Sequence, residues 1–121
     1  MKEYEIPLSQ HLADRTKTFA LRVIRMHETL PKKPAARVLG NQVLRSGTSV
    51  GANYREARRA RSKAEFVAKI GDCIKELDET AYWFELLAES GTVTAAKLVL
   101  LQTECSELIA MFTSIVKKSR S

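Results

Sequence analysis

The 121-residue sequence predicts an all-α protein, an up-down-up-down antiparallel four-helix bundle in one domain covering residues 1–121. Three observations carry this. Apolar side chains recur at steps of three and four in four successive segments, the period of a helix with one buried face. Turn signals fall between the segments, at Pro31-Lys32-Lys33-Pro34, near Arg61-Ser62 and at Ser90-Gly91-Thr92. No stretch shows the strict alternation of a half-buried strand. Helices joined by such short turns pack as antiparallel neighbours.

The first helix is expected over 9–30, with Ser9 as its N-cap. Its apolar stripe is Leu12, Phe19, Val23, Met26 and Leu30, with Thr16 in the remaining slot. It stops at Pro31-Lys32-Lys33-Pro34, because proline cannot continue a helix and disfavours helical geometry in the residue before it. The second helix is expected over 35–60. Gly40, Gly47 and Gly51 lie inside it, each costing ~1 kcal/mol relative to alanine in an exposed helix. Their presence points to close approach of another backbone. Ser62-x-x-Glu65 has capping-box spacing and starts a third helix over 63–89, one continuous helix through Arg61 being the alternative. Its broad apolar face runs Phe66, Ile70, Cys73, Leu77, Thr80, Phe84 and Leu87, widened by Val67, Ile74, Ala81 and Ala88. Gly91 closes it and Thr92 offers the next N-cap. The fourth helix, expected over 93–118, carries Leu98, Leu101, Cys105, Leu108, Phe112 and Ile115, with Lys117, Lys118 and Arg120 suiting its C-terminal dipole.

Charge is uneven along the chain. The formal net charge is +6 and the pI about 9.6. Residues 32–63 hold nine basic residues against Glu56 alone, a net +8, while residues 64–112 hold three basic and nine acidic residues, a net −6. A basic block of this kind commonly meets a polyanion. A basic helix lying beside an acidic one and neutralised by it is the competing reading. Cys73 and Cys105 each sit on an apolar stripe, as buried thiols in a reducing cytoplasm do. There is no CxxC or Cys/His grouping for zinc. His11 and His27 are the only histidines and no E-x-x-H pair occurs, so neither a di-iron site nor any other metal or cofactor is expected. The Met-Lys-Glu-Tyr-Glu start has no apolar signal core, and no run approaches the ~20 apolar residues of a bilayer span. A cytoplasmic protein without a membrane partner is expected.

The second helix bears two stripes. Val43, Gly47, Val50, Tyr54 and Ala57 form an apolar and small-residue face, and Gln42, Arg45, Ser46, Ser49, Asn53 and Glu56 form a polar one beside it. Uncharged polar groups in such number predict a buried polar seam or an interaction face. If the second and third helices turn near Arg61, antiparallel counting sets Arg45 opposite Glu76 or Leu77 and Asn53 opposite Lys69, so an Arg45–Glu76 ion pair is expected. Glu65, Asp72, Glu76 and Glu79 share one face of the third helix and are read as facing Arg and Lys instead of performing catalysis. Ser46 and Ser49 lack a neighbouring base, and no glycine-rich phosphate loop opens a helix, so no enzyme is expected. Tyr82, Trp83 and Phe84 cannot share a face; Phe84 belongs to the core, and Trp83 or Tyr82 must point toward the edge, where an aromatic ring suits a subunit contact.

At Gln42-x-x-Arg45-Ser46-x-x-Ser49-Val50-x-x-Asn53-x-x-Glu56, then Ser62-x-x-Glu65-Phe66 and Lys75-Glu76-Leu77-x-Glu79-Thr80, the chain resembles the four-helix bundle proteins named for reading frames inside intervening sequences of bacterial 23S ribosomal RNA genes. The resemblance covers roughly residues 8–116. It departs mildly at Asn53-Tyr54-Arg55-Glu56-Ala57, where the family often has Asn-Ile-x-Glu-Gly. The resemblance implies a ring-like homopentamer and a fold relationship to accessory proteins of diversity-generating retroelements, which bind nucleic acid and a reverse transcriptase. It implies no particular biochemical activity. The function expected is therefore a non-enzymatic oligomer that binds RNA, DNA or a nucleoprotein through phosphate contacts of Arg55, Arg58, Arg59, Arg61 and Lys63. The alternative is a structural or protein-interaction scaffold, with Gln42, Arg45, Ser46, Ser49, Asn53, Glu56, Glu76 and Trp83 as seam or interface.

Overall fold

The computed structural model describes residues 8–120 and shows four helices, α1 (Leu8–Glu28), α2 (Pro34–Ala57), α3 (Lys63–Glu89) and α4 (Ala95–Arg120). There is no strand among the described residues. In chain order α2 packs along both α1 and α3, α3 packs along α4, and α1 meets α4 only sparingly. This is the up-down bundle that the apolar periodicity predicts.

One core runs its length. Leu12, Phe19 and Val23 of α1, Val43 and Val50 of α2, Ile70, Leu77, Phe84 and Leu87 of α3, and Leu98, Leu108 and Phe112 of α4 are fully buried. Each falls on a stripe visible in the sequence, because a helix with one apolar face must cover it. Tyr54 and Phe112 tilt against each other with ring centroids 5.4 Å apart, and the Tyr54 hydroxyl donates to the Ser9 carbonyl at 3.3 Å.

The glycines of α2 explain its fit to α1. A Cβ on Gly47 would lie 3.0 and 3.1 Å from the two Val23 methyls, and one on Gly51 would lie 3.6 Å from the Thr16 carbonyl carbon. A Cβ on Gly40 would collide with Leu30. All three glycines therefore face α1, and the expected close approach is the α1–α2 contact.

The helix ends differ from expectation in ways the backbone explains. Ser9 is not an N-cap, since α1 already includes Leu8. The helix stops at Glu28 and not Leu30, because the Thr29 and Leu30 amides tighten onto the carbonyls three residues back, Met26 and His27. Pro34 occupies the first turn of α2 after an extended Lys33, where its missing N–H costs nothing. At the other end Arg59 and Ala60 donate to Glu56 and Ala57, so α2 finishes at Ala57 and not Ala60. The chain leaves the helix here, which removes the continuous-helix alternative. Ser62 then caps α3, its Oγ accepting from the Glu65 amide at 3.0 Å.

Gly91, with φ of +75°, ends α3 in the left-handed region. The Val93 amide folds back onto the Leu87 carbonyl at 3.1 Å, so Val93 closes α3 and α4 begins only at Ala95. Thr92 is consequently not the N-cap of α4; its hydroxyl lies 2.8 Å from that of Ser90. By length and composition alone α4 is apolar enough to cross a membrane, a test that a bundle's core helix also meets; Lys97, Glu104 and Glu107 interrupt it. Its buried residues Leu98, Leu101, Cys105, Leu108 and Phe112 face the bundle core, and Glu104 and Glu107 meet Arg15 of α1.

Candidate functional site

Two polar features stand out on this scaffold, a seam between α2 and α3 and a cluster of cations where α2 ends. In the seam the deepest pair is Ser46 and Thr80, both fully buried. Thr80 Oγ1 donates to Ser46 Oγ at 2.7 Å, and Ser46 Oγ donates to the Gln42 carbonyl at 2.9 Å. The Glu76 carbonyl is also 2.7 Å from Thr80 Oγ1. Two hydroxyl protons serve three short contacts, so only two of these bonds exist at any moment. Ser46 therefore belongs to the floor of the seam, beneath the charged groups.

Above that floor Arg45 spans the two helices. Its Nη1 donates to Glu76 Oε2 at 3.3 Å and its Nη2 to Glu79 Oε2 at 2.5 Å, while Nε donates to Gln42 Oε1 at 3.2 Å. The expected Arg45–Glu76 pair is present, and Glu79, which the sequence placed only as facing an Arg or Lys, is a second acceptor of the same Arg45. These carboxylates raise the guanidinium pKa, the hydrogen bond that Arg45 donates to Glu79 most. The Arg45 side chain is 48% exposed, so within one chain the pair is a surface one. Ser49 Oγ turns back to the Arg45 carbonyl at 2.6 Å. Counting set Asn53 opposite Lys69; in the structure Lys69 Nζ reaches Glu56 Oε2 at 3.0 Å instead. Asn53 is half-buried beside it, with no side-chain hydrogen bond among the described residues.

Of the paired aromatics, Tyr82 is the outward one, 52% exposed, and Trp83 packs partly buried against the core. Their rings tilt together at 5.1 Å. Trp83 Nε1 is buried and has no hydrogen-bond partner among the described residues.

Arg55, Arg58, Arg59, Arg61 and Lys63 are all exposed, the first on the last turn of α2, the next three in the turn and Lys63 opening α3. Among the described residues none of these five side chains makes a salt bridge. Arg58 Nη2 makes one long contact, 3.4 Å, to Gln10 Oε1, and Glu65 receives only the Arg61 backbone amide. No three His, Cys, Asp or Glu side chains converge as a metal site among the described residues.

A third polar contact escaped the sequence reading. Arg15 of α1 donates through Nε and Nη2 to both oxygens of Glu104 on α4, at 2.7 and 2.8 Å, and through Nη2 to Glu107 at 3.1 Å. It ties together α1 and α4, the neighbouring helices that otherwise meet only sparingly. The hydrogen bond from Arg15 holds the Glu104 carboxyl below its ordinary pKa. A carboxyl depressed in the folded state adds stability above its unfolded pKa, near 4.3, and loses it as pH falls through the folded value. Thermal stability should thus drop on acidification below about pH 4.5. Glu104→Gln should flatten part of that drop; an identical pH profile in wild type and variant would show that Glu104 contributes nothing there.

The fold and its seam define a small all-α bundle protein. The chain belongs to the 23S rRNA-intervening sequence protein family, whose model matches residues 10–114. It is similar to a crystal structure from Bacteroides thetaiotaomicron VPI-5482, described as a protein of unknown function from the S23 ribosomal protein family. The two are 35% identical with a TM-score of 0.84, covering 90% of this chain and 97% of the other. Among curated proteins there is no match.

Proposed function

We infer that this chain is a non-enzymatic cytoplasmic protein that self-associates and binds the phosphate backbone of RNA or DNA through the basic block at the end of α2. One observation carries the reading. The basic block and the acidic α3 are sequence neighbours, yet no side chain of Arg55, Arg58, Arg59, Arg61 or Lys63 is neutralised by α3 among the described residues. The α3 carboxylates Glu76 and Glu79 pair with Arg45, and the one pair near the block, Glu56–Lys69, runs the other way. Five unneutralised cations in and around one exposed turn give affinity with little sequence preference. A homopentamer repeats the block around a ring, and multivalency raises weak binding by orders of magnitude.

The test is retention of random-sequence RNA and duplex DNA across a salt series. If each block meets about five phosphates, log affinity against log salt should have a slope of about −4 to −5 on B-DNA. Arg58→Glu with Arg59→Glu should abolish retention while leaving the assembly size unchanged. Wild-type protein that retains neither nucleic acid near 50 mM salt leaves the scaffold reading in its place.

Self-association has its own check at Arg45. An exposed ion pair contributes about 1 kcal/mol or less, whereas breaking a buried one costs about 3 to 5 kcal/mol. Covered by a second copy, the seam should show the larger loss for Arg45→Ala together with a smaller assembly by light scattering. A monomeric wild-type mass at micromolar concentration would remove self-association.

A further inference from the structure

Beside the basic turn lies a solvent-open groove of about 650 Å³ between α1 and α2. Its floor exists because Ala13, Gly51 and Ala52 present almost no side chain where the two helices cross. Arg55, Arg58 and Arg59 stand on the α2 side and Lys17 on the α1 side, all exposed. Two carboxylates also line it, and both have partners: Asp14 accepts from the Gln10 amide at 2.9 Å, and Glu56 is drawn to Lys69 on α3. The threonine hydroxyls in the groove turn back to their own helix, Thr16 to the Leu12 carbonyl and Thr48 to that of Leu44. Lys17, Arg55 and Arg59 make no ion pair among the described residues.

Resting on the nucleic-acid reading above, we propose that the sugar–phosphate backbone of duplex nucleic acid seats in this α1–α2 groove, with Lys17 a direct phosphate contact. Two features select the occupant. Cations on both walls of a small-residue floor match a narrow anionic ridge. The one aromatic lining the groove, Tyr54, is only 3% exposed, so the stacking surface that single strands use is absent. Arg61 and Lys63 do not line the groove. The groove therefore divides the basic block, with Lys17, Arg55, Arg58 and Arg59 bearing phosphates and Arg61 and Lys63 outside.

The experiment compares two charge-matched variants in the full chain, Lys17→Glu and Lys97→Glu, the latter an exposed lysine of α4 outside both the groove and the basic block. Labelled duplex RNA, duplex DNA and a single strand of the same random sequence are titrated, with assembly mass measured alongside. Lys17→Glu should weaken duplex binding about tenfold and make the salt slope shallower by about one or more, while Lys97→Glu changes both far less. Equal effects of the two variants, or tighter binding of the single strand than the duplex, overturn the groove. If Lys17→Glu is silent while Arg58→Glu with Arg59→Glu abolishes binding, the groove fails and the wider reading stands. If wild-type protein binds none of the three probes, both fail together.

Discussion

Replacing Phe112 by Ala is expected to lower the unfolding free energy by about 3 to 5 kcal/mol, the range for truncating a fully buried aromatic. Phe112 is completely enclosed, and Tyr54 of α2 rests against its ring. The site has little room to collapse, since Tyr54 is also fixed by its hydrogen bond to Ser9. Loss of the ring therefore removes contacts that bind α4 to α2 across the bundle. Denaturant unfolding measures the effect as a shift in midpoint with little change in slope. A loss under about 1 kcal/mol would mean that neighbouring side chains refill the space.

The second large effect is at Gly47. Gly47→Leu is expected to cost about 3 kcal/mol, because overpacking a filled contact forces backbone shifts. The first added atom would already lie 3.0 Å from a methyl of Val23, which is fully buried and stiff about its branched Cβ. Gly71 supplies the internal comparison. A Cβ there meets nothing within 4 Å, and the position is exposed in mid-helix. Gly71→Ala should raise stability by about 0.5 to 1 kcal/mol, the helix-propensity difference alone. Glycines in neighbouring helices would thus change stability with opposite sign. A shared sign would show that α1 and α2 move apart more easily than the geometry implies.

The contrast between these glycines shows what the sequence made legible. Gly40, Gly47 and Gly51 were readable as a contact because glycines inside a helix cost stability that a close approach offsets, but the identity of α1 as the partner needed the coordinates. Periodicity reached the core in the same way, down to Thr16 and Thr80 filling apolar slots. Arg45–Glu76 was reached by counting back from the turn at Arg61, since a short turn fixes the register of the helices it joins. The same counting cannot reach Arg15–Glu104, as no turn joins α1 to α4. Helix ends were the least legible, because Ser9 and Thr92 are both chemically competent caps, and it is the return of Val93 onto α3 that moves the start of α4 to Ala95. In the groove, the sequence marked Arg58 and Arg59 by their density, whereas Lys17 is one of several dispersed cations of α1, with Arg15, Arg22 and Arg25, and gave no local signal.

The buried thiols make the bundle its own stopwatch. Cys73 on α3 donates to the Val50 carbonyl of α2, and Cys105 on α4 donates to the Leu77 carbonyl of α3. Burial pushes both thiols up to about 12, so in the closed fold neither offers a thiolate at neutral pH. A thiol reagent can react only during an opening, and each cysteine times a different one. If α4 peels away from α3 before the bundle as a whole comes apart, Cys105 is labelled first and Cys73 follows at the slower rate of global unfolding.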